Sequence, residues 1–404
     1  MIPRHEMTLT DKPYKIDEKN YERYPVTNQA FATVSYKDTG DIGLYLSLNK
    51  MMDTMISKMQ KGVEGRKQEN NALDMGANSL NLILGNYGKP NSQLLKWQPL
   101  FTPEMMQKNK VNYKPEKLSE MVKEAAFLYG ADLIGITDLN PKWVFSQDMV
   151  KPYVIKETDK PRETEGEFVI PKSMNKAIVM SVAMNDEMTK ASPSVKASVT
   201  TAIGYSRMGI TAVALAEYIR GLGYNAIPAM NDTALSIPLA VDAGLGQLGR
   251  LGILITPEYG PNVRLFKVIT DMPLENDKPI DFGVVEFCKN CYLCAESCPS
   301  GAISFEEPTF EPACDNNNPG VEKWPIKSEE CLRFWQENGA SCSNCIAACP
   351  FIEGYKSTMC IECEDCRTRC VLQTNTFMRK KYGYLDVKQW GGESKVLYPR
   401  RKGL

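Results

Sequence analysis

The chain has 404 residues, of which 43% are hydrophobic and 24% charged, with a formal net charge of −1. That length suffices for two or three domains with a full core in at least one of them. The near-zero charge gives no electrostatic case for nucleic acid or an anionic membrane as partner, and no apolar run reaches the roughly 18–20 residues that span a bilayer.

The N-terminal MIPRHEMTLTDKPYKIDEKN has no apolar h-region and no twin-arginine pair, so no signal peptide is read in it. The chain is then either cytoplasmic or a mature form from which a signal was removed. Residues 1–113 form a polar, mixed N-terminal lobe. Its Met-rich LYLSLNKMMDTMISKMQ fits an amphipathic helix, yet an irregular lobe packed on the core is the expectation here. From Lys114 the texture changes. PEKLSEMVKEAAFLYG reads as a helix closed by Gly130, and ADLIGIT as a short buried strand. AIVMSVAM is a second strand, ITAVALAEYIRGLGY a helix and NAIPAM a third strand. LSIPLAVDAGLG is a helix ending in glycines, and GILITPEYG and VRLFKVITDM complete the series. Strand–helix alternation at this spacing predicts an α/β or α+β core over 114–285.

All 13 cysteines lie between Cys288 and Cys370, and the first 287 residues have none. Dense cysteines at gaps of two and three residues read as metal thiolates rather than disulfides. The chain has one histidine, His5, in a polar tail. Histidine is therefore not expected as catalytic acid, zinc ligand or axial ligand, and any proton donor must be another residue type.

The first motif is Cys288-x2-Cys291-x2-Cys294-x3-Cys298-Pro299, the bacterial ferredoxin run. Three closely spaced thiolates bind three corners of one [4Fe–4S] cubane, and the fourth turns away to the other cluster. The second motif, Cys342-x2-Cys345-x3-Cys349-Pro350, lacks a leading cysteine, which Cys331 can supply from eleven residues upstream. One cluster is then assigned Cys288, Cys291, Cys294 and Cys349, and the other Cys298, Cys331, Cys342 and Cys345. This makes residues 286–352 a ferredoxin-like unit that passes single electrons. In the Cys-rich tail, 353–404, Cys360, Cys363, Cys366 and Cys370 repeat the 2-2-3 spacing without the proline. A third cluster, a thiolate zinc site and free surface thiols all stay open there. Cys314 has no assigned role.

No G-x-G-x-x-G follows a strand and no Walker A is present, so nicotinamide and nucleotide phosphate sites are unsupported. The glycines of AGLGQLGR form a tight loop that a cofactor could approach, and a helix C-cap explains them equally well. The stretches GYSRM, LGYNAIPAMNDTALSIPLAVDAGLGQLGR, GILITPEYGPNVRLFKVITDMPL and FGVVEFCKNCYLCAESCP resemble the corrinoid iron–sulfur reductive dehalogenases. So does CLRFWQENGASCSNCIAACP with its displaced leading cysteine; the resemblance spans about residues 115–352 and fades in the tail.

The resemblance implies a nitroreductase-like domain over 114–285 that buries a base-off cobamide with no histidine beneath cobalt. The lone, distant histidine agrees with this, as does the absence of a D-x-H-x-x-G motif. It implies Tyr205 as catalytic proton donor, Asn231 on the substrate side and Arg264 as the cation favouring tyrosinate. Cobamide contacts are expected at Met208, Ser236, Gly244, Gly246, Gly249 and Thr256. Read on residue type alone, the three catalytic candidates have plainer roles: Tyr205 packing at the head of a helix, Asn231 capping a turn, Arg264 in a salt bridge.

The implied activity is reductive dehalogenation of a small organohalide, expected to be chlorinated, by cob(I)amide fed through the two clusters. The family context is anaerobic organohalide respiration at the outer face of the cytoplasmic membrane. It brings a small membrane-anchor subunit, a quinol-linked electron donor and no nucleic acid, and leaves a homodimer open. Two alternatives stand beside it. An epoxyqueuosine reductase-like enzyme would carry a basic face for tRNA. A non-catalytic iron–sulfur electron carrier would not need so large a core.

Overall fold

The computed structural model describes residues 7–9, 11–41, 46–63, 65–84, 95 and 97–353. His5, Cys360, Cys363, Cys366 and Cys370 lie outside the described residues.

The N-terminal region is helical, not irregular: α1 (Ala30–Thr39), α2 (Leu46–Gln60) and α3 (Gln68–Leu84). The Met-rich run repeats apolar residues at helical intervals, with Met51, Met52, Met55 and Ile56 all within α2. A short α4 (Glu104–Lys108) leads to α5 (Pro115–Leu128), which starts with proline in its first turn. The strand β1 (Leu133–Asp138) follows. A small sheet of β2 (Tyr153–Lys156), β3 (Arg162–Glu163) and β4 (Phe168–Pro171) is inserted before β5 (Lys176–Ala183).

Next come α6 (Asp186–Thr189) and the 27-residue α7 (Val195–Gly221). The core then closes with β6 (Ala226–Ala229), α8 (Ser236–Asp242), β7 (Gln247–Leu248), β8 (Leu254–Ile255) and β9 (Val263–Thr270). The main sheet runs β1-β5-β9-β6 and every neighbouring pair is antiparallel, so the core is α+β in character. Continuous apolar sequence in β5 reflects cover on both faces. Ile178, Met180 and Val182 pack with Leu118, Met208 and Leu215 of α5 and α7, while Ala177 and Val179 pack with Trp143 and Leu239 on the α8 side.

The cysteine unit contains α9 (Val284–Asn290), α10 (Leu293–Glu296), α11 (Ser328–Asn338) and α12 (Asn344–Ala347). It shares a core with the main domain: Leu251, Ile255 and Phe282 pack with Cys288, Phe287 and Phe351. The boundary expected at 285/286 therefore falls inside α9. Gly260, at φ 55°, lets the two units meet, because a Cβ there would lie 2.0 Å from the Phe351 carbonyl oxygen. The N-terminal helices dock on α11. Arg333 Nη1 donates to Asp38 at 2.5 and 2.7 Å, and Lys58 Nζ donates to the Glu337 carbonyl at 2.7 Å. Among the described residues no helix is long and apolar enough to cross a membrane.

Candidate active site and iron–sulfur ligands

A cavity of about 480 Å³ opens between the main sheet, the N-terminal helices and the cysteine unit. Ser198, Thr201, Ala202 and Tyr205 line it from α7 at the i, i+3, i+4, i+7 spacing of one helical face. At the cysteine-unit end, Ser198 Oγ lies 2.8 Å from Ser341 Oγ and accepts the Ser341 N–H at 3.0 Å. Cys342 is the next residue. At the rise of an α-helix, Tyr205 stands roughly 10 Å further along α7.

Tyr205 sits well inside α7, not at the head of a helix as its sequence context indicated, because α7 already begins at Val195. Arg264 on β9 pairs in register with Val182 and packs against α7. Gly204 makes the room: a Cβ there would stand 2.9 Å from Arg264 Cγ. The Arg264 guanidinium carbon lies 5.2 Å from the centre of the Tyr205 ring, and Nη2 donates to Thr201 Oγ1 at 3.0 Å. Arg264 Nε is buried without a partner. Asn231 Nδ2 donates to Tyr205 Oη at 2.9 Å. The three residues thus converge, and the phenol oxygen already accepts one hydrogen bond. The phenol lines the cavity beside the Arg264 cation.

The turn carrying Asn231 is anchored from below. Thr233 holds a left-handed φ of 66°. Asp232, buried, accepts the Met230 N–H at 2.7 Å and the Thr233 hydroxyl at 2.9 Å. Lys267 Nζ donates to the Met230 carbonyl at 2.8 Å and to Ser236 Oγ at 3.0 Å. Burial pushes the Lys267 ammonium down to about 8 against the opposing pull of Asp232, and pushes the Asp232 carboxyl up.

The opposite wall comes from the N-terminal helices: Met51, Met52 and Met55 of α2, and Asp74, Met75 and Asn78 of α3. Asp74 has a buried Oδ1 with no partner, and burial raises its carboxyl to about 6. Among the described residues no histidine lines the cavity. The unpaired Arg264 Nε and Asp74 Oδ1 are a donor and an acceptor left for a ligand. A corrinoid, with its fringe of amides and no need of a protein histidine, fits that lining.

Eight of the nine described cysteines adjoin one another. Cys349 lies near Cys288, Cys294 and Cys291, while Cys345 lies near Cys342, Cys331, Cys294 and Cys298. Cys294 beside Cys345 shows that the two cysteine motifs adjoin. Among the described residues no three His, Cys, Asp or Glu side chains converge on a single metal ion. Burial pushes the Cys288 and Cys342 thiols up to about 11 and those of Cys291 and Cys331 up to about 12. Thiols this buried become ligands when iron, not solvent, compensates the charge.

Arg250, fully buried, was not marked as a site residue by the sequence. Its Nε donates to the carbonyls of Cys288 and Cys291 at 3.0 and 3.1 Å. Nη2 donates to Cys288 O at 2.8 Å, and Nη1 to Ser304 O and Glu306 O at 2.9 Å each. The AGLGQLGR loop thus ends in a peg that fixes the first cysteine loop. Arginine, with five donors in a rigid fork, suits that task.

The expected cobamide contacts are not brought to this cavity. Met208 is 0% exposed, in the apolar core beneath α7. The Ser236 hydroxyl serves Lys267. Close approach at Gly244, Gly246 and Gly249 is to the chain itself, namely to the Lys278 carbonyl, the Ile255 carbonyl and the Ile255 side chain. Thr256 Oγ1 donates to the Gly260 carbonyl at 3.1 Å. Sequence reading also missed the methionine wall and Trp335, which lines the cavity from α11. Trp335 follows Cys331 by four residues, a spacing that could have placed it on the same helical face.

Residues 130–274 match the family model described as reductive dehalogenase subunit, and residues 287–352 match that of a 4Fe-4S dicluster domain. A tetrachloroethene reductive dehalogenase of Sulfurospirillum multivorans is 40% identical over 321 residues, 74% of this chain and 64% of that protein. Another, from Desulfitobacterium hafniense, is 40% identical over 266 residues, 58% of this chain and 48% of that protein. The chain thus spans 48–64% of the length of these relatives. A solved reductive dehalogenase, whose structure was reported for a mechanism of B12-dependent dehalogenation, aligns over 99% of this chain and 54% of its own. The TM-score is 0.69 at 21% identity, a likeness of fold. With the dehalogenase and dicluster matches in the order in which the cavity and cysteine units occur, the chain belongs to the reductive dehalogenase family.

Proposed function

We propose that this protein reduces a carbon–halogen bond to carbon–hydrogen, consuming two electrons and one proton and releasing halide. The observation that carries the reading is the convergence of Tyr205, Asn231 and Arg264 on a cavity whose far end is the loop of the second thiol group. Cys288, Cys291, Cys294 and Cys349 hold one [4Fe–4S] cluster; Cys298, Cys331, Cys342 and Cys345 hold the other, nearer the cavity. A base-off corrinoid, when bound, supplies the two-electron chemistry at the carbon–halogen bond.

The chain's own residues do the rest. Tyr205 delivers the proton from Oη. Asn231, already donating to that oxygen, holds the phenol in place and steadies the phenolate. Arg264 adds a cation over the ring. Methionines and aromatic side chains such as Tyr153 and Phe168 line the remaining space and exclude water. That lining, with relatives named for tetrachloroethene, points to a small chlorinated hydrocarbon as substrate and to respiratory use beside a membrane-anchored partner.

The test is halide release from tetrachloroethene by anaerobic, reduced holoprotein. Tyr205→Phe should keep wild-type cobalt and iron and lose about 10²–10⁴-fold in turnover. Turnover within twofold of wild type would remove the proton-donor role.

A further inference from the structure

We propose that in the loaded protein Trp335 donates its indole N–H to the sulfur of Cys331 and thereby raises the reduction potential of the cluster beside the cavity. The inference rests on the cluster assignment above and extends it to a residue that holds no iron.

Cys331 and Trp335 are four residues apart on α11, so their side chains share one helical face. Trp335 Nε1 is buried and has no formed hydrogen bond. Buried indole N–H groups normally find a partner. The Cys331 thiol is the neighbour of this indole on that face, one turn earlier on α11. A neutral thiol is a weak acceptor. A thiolate carrying a cluster is charged, and bonds to charged acceptors shorten and strengthen. The ring is held in place from its other side by Phe31, edge-on with centres 6.0 Å apart, and it lines the cavity.

The remaining sulfurs of this group show the same provision. Cys298 Sγ accepts the Ala302 N–H at 3.3 Å and has Ser300 Oγ at 3.4 Å, and Ser192 Oγ lies 3.9 Å from Cys342 Sγ. Ser192 also lies 2.7 Å from Asn344 Oδ1, a better acceptor for its single proton, so it contributes little. Hydrogen bonds to cluster sulfurs favour the more negative, reduced state and raise the potential. Electrons would then collect on the cluster that adjoins the cavity.

The experiment uses full-length holoprotein made with nitrogen-15 indole-labelled tryptophan, reduced anaerobically and read by pulsed electron paramagnetic resonance. A nitrogen-15 coupling on a cluster signal is expected, and it should be lost in Trp335→Phe while Trp324→Phe retains it. In a redox titration Trp335→Phe should lower one midpoint potential by a roughly fivefold change in the reduction constant, about 40 mV at 59 mV per decade, and leave the other unmoved. Wild-type couplings and potentials in a Trp335→Phe protein of full iron content would overturn the proposal. So would the absence of any nitrogen-15 coupling in the wild type, a result that needs no variant to fold. Absence of any cluster signal would instead remove the cluster assignment, and this inference with it.

Discussion

The cavity has two walls of different construction. Tyr205, Asn231 and Arg264 stand on a buried helix, a pinned turn and an internal strand, each fixed by something beneath it: Gly204 under Arg264, Lys267 and Asp232 under Asn231. The facing wall is α2 and α3, where flexible thioethers meet the space and Met52 and Met75 are 52% and 66% exposed. Groups that take part in a reaction need placement that only locked neighbours provide. A wall that meets only the substrate's surface can stay adaptable, and methionine suits it. Chemistry belongs to the first wall and fit to the second.

Four substitutions sharpen or break that contrast. The largest effect is expected at Arg250, the peg that the main domain inserts into the first cysteine loop. Arg250→Met leaves the carbonyls of Cys288 and Cys291 in the first cysteine loop without their donor, at a cost of about 3–5 kcal/mol, read as a lower urea midpoint together with loss of iron. A wild-type midpoint and full iron would show that the first cysteine loop holds itself. Next comes Arg264→Met, expected to lower turnover about 10²-fold, near 2.7 kcal/mol, at unchanged iron content. If only KM moved, the guanidinium would be a binding group.

The third test concerns a charge on the adaptable wall. Burial raises Asp74 from its ordinary 3.8 to about 6, so between those values the folded state holds a proton that the unfolded state has released. Its contribution is then full below pH ~4 and lost as pH rises through ~6. Asp74→Asn removes this loss and should gain roughly 2 kcal/mol on wild type between pH 4.5 and 7, seen by denaturant unfolding at the two pH values. An equal difference at both would mean that Asp74 does not titrate there. The smallest effect is expected for Met52→Leu, a near-isosteric change worth under ~1.5 kcal/mol. Relative rates on chlorinated ethenes of different size should shift while the pH dependence of turnover stays put. A turnover collapse as deep as that of Arg264→Met would erase the distinction between the walls.

How far the sequence carried depended on the kind of constraint. Metal ligation imposes fixed residue types at fixed gaps, so the two cysteine motifs between Cys288 and Cys349 stood out from spacing alone. The strands and helices of the core were legible from periodicity. Tyr205, Asn231 and Arg264 are ordinary residues in ordinary contexts; they came only through the motifs GYSRM, MNDTA and NVRL. The cobamide contacts placed at Met208 and along 236–256 do not line the cavity, for a physical reason. Glycines that let a cofactor approach and glycines that let the chain approach itself look alike in sequence. The adaptable wall was missed because α2 and α3 act through tertiary placement on α11 and α7, which no local pattern encodes.

The central claim is that a corrinoid and two clusters meet at one cavity in this chain. The most direct measurement is the cobalt and iron content of protein purified without oxygen from cells supplied with cobamide. The account predicts about one cobalt and about eight irons, four per cubane, and about twelve irons would add a cluster at Cys360, Cys363, Cys366 and Cys370. Iron without cobalt would contradict it and leave an electron-transfer protein in its place.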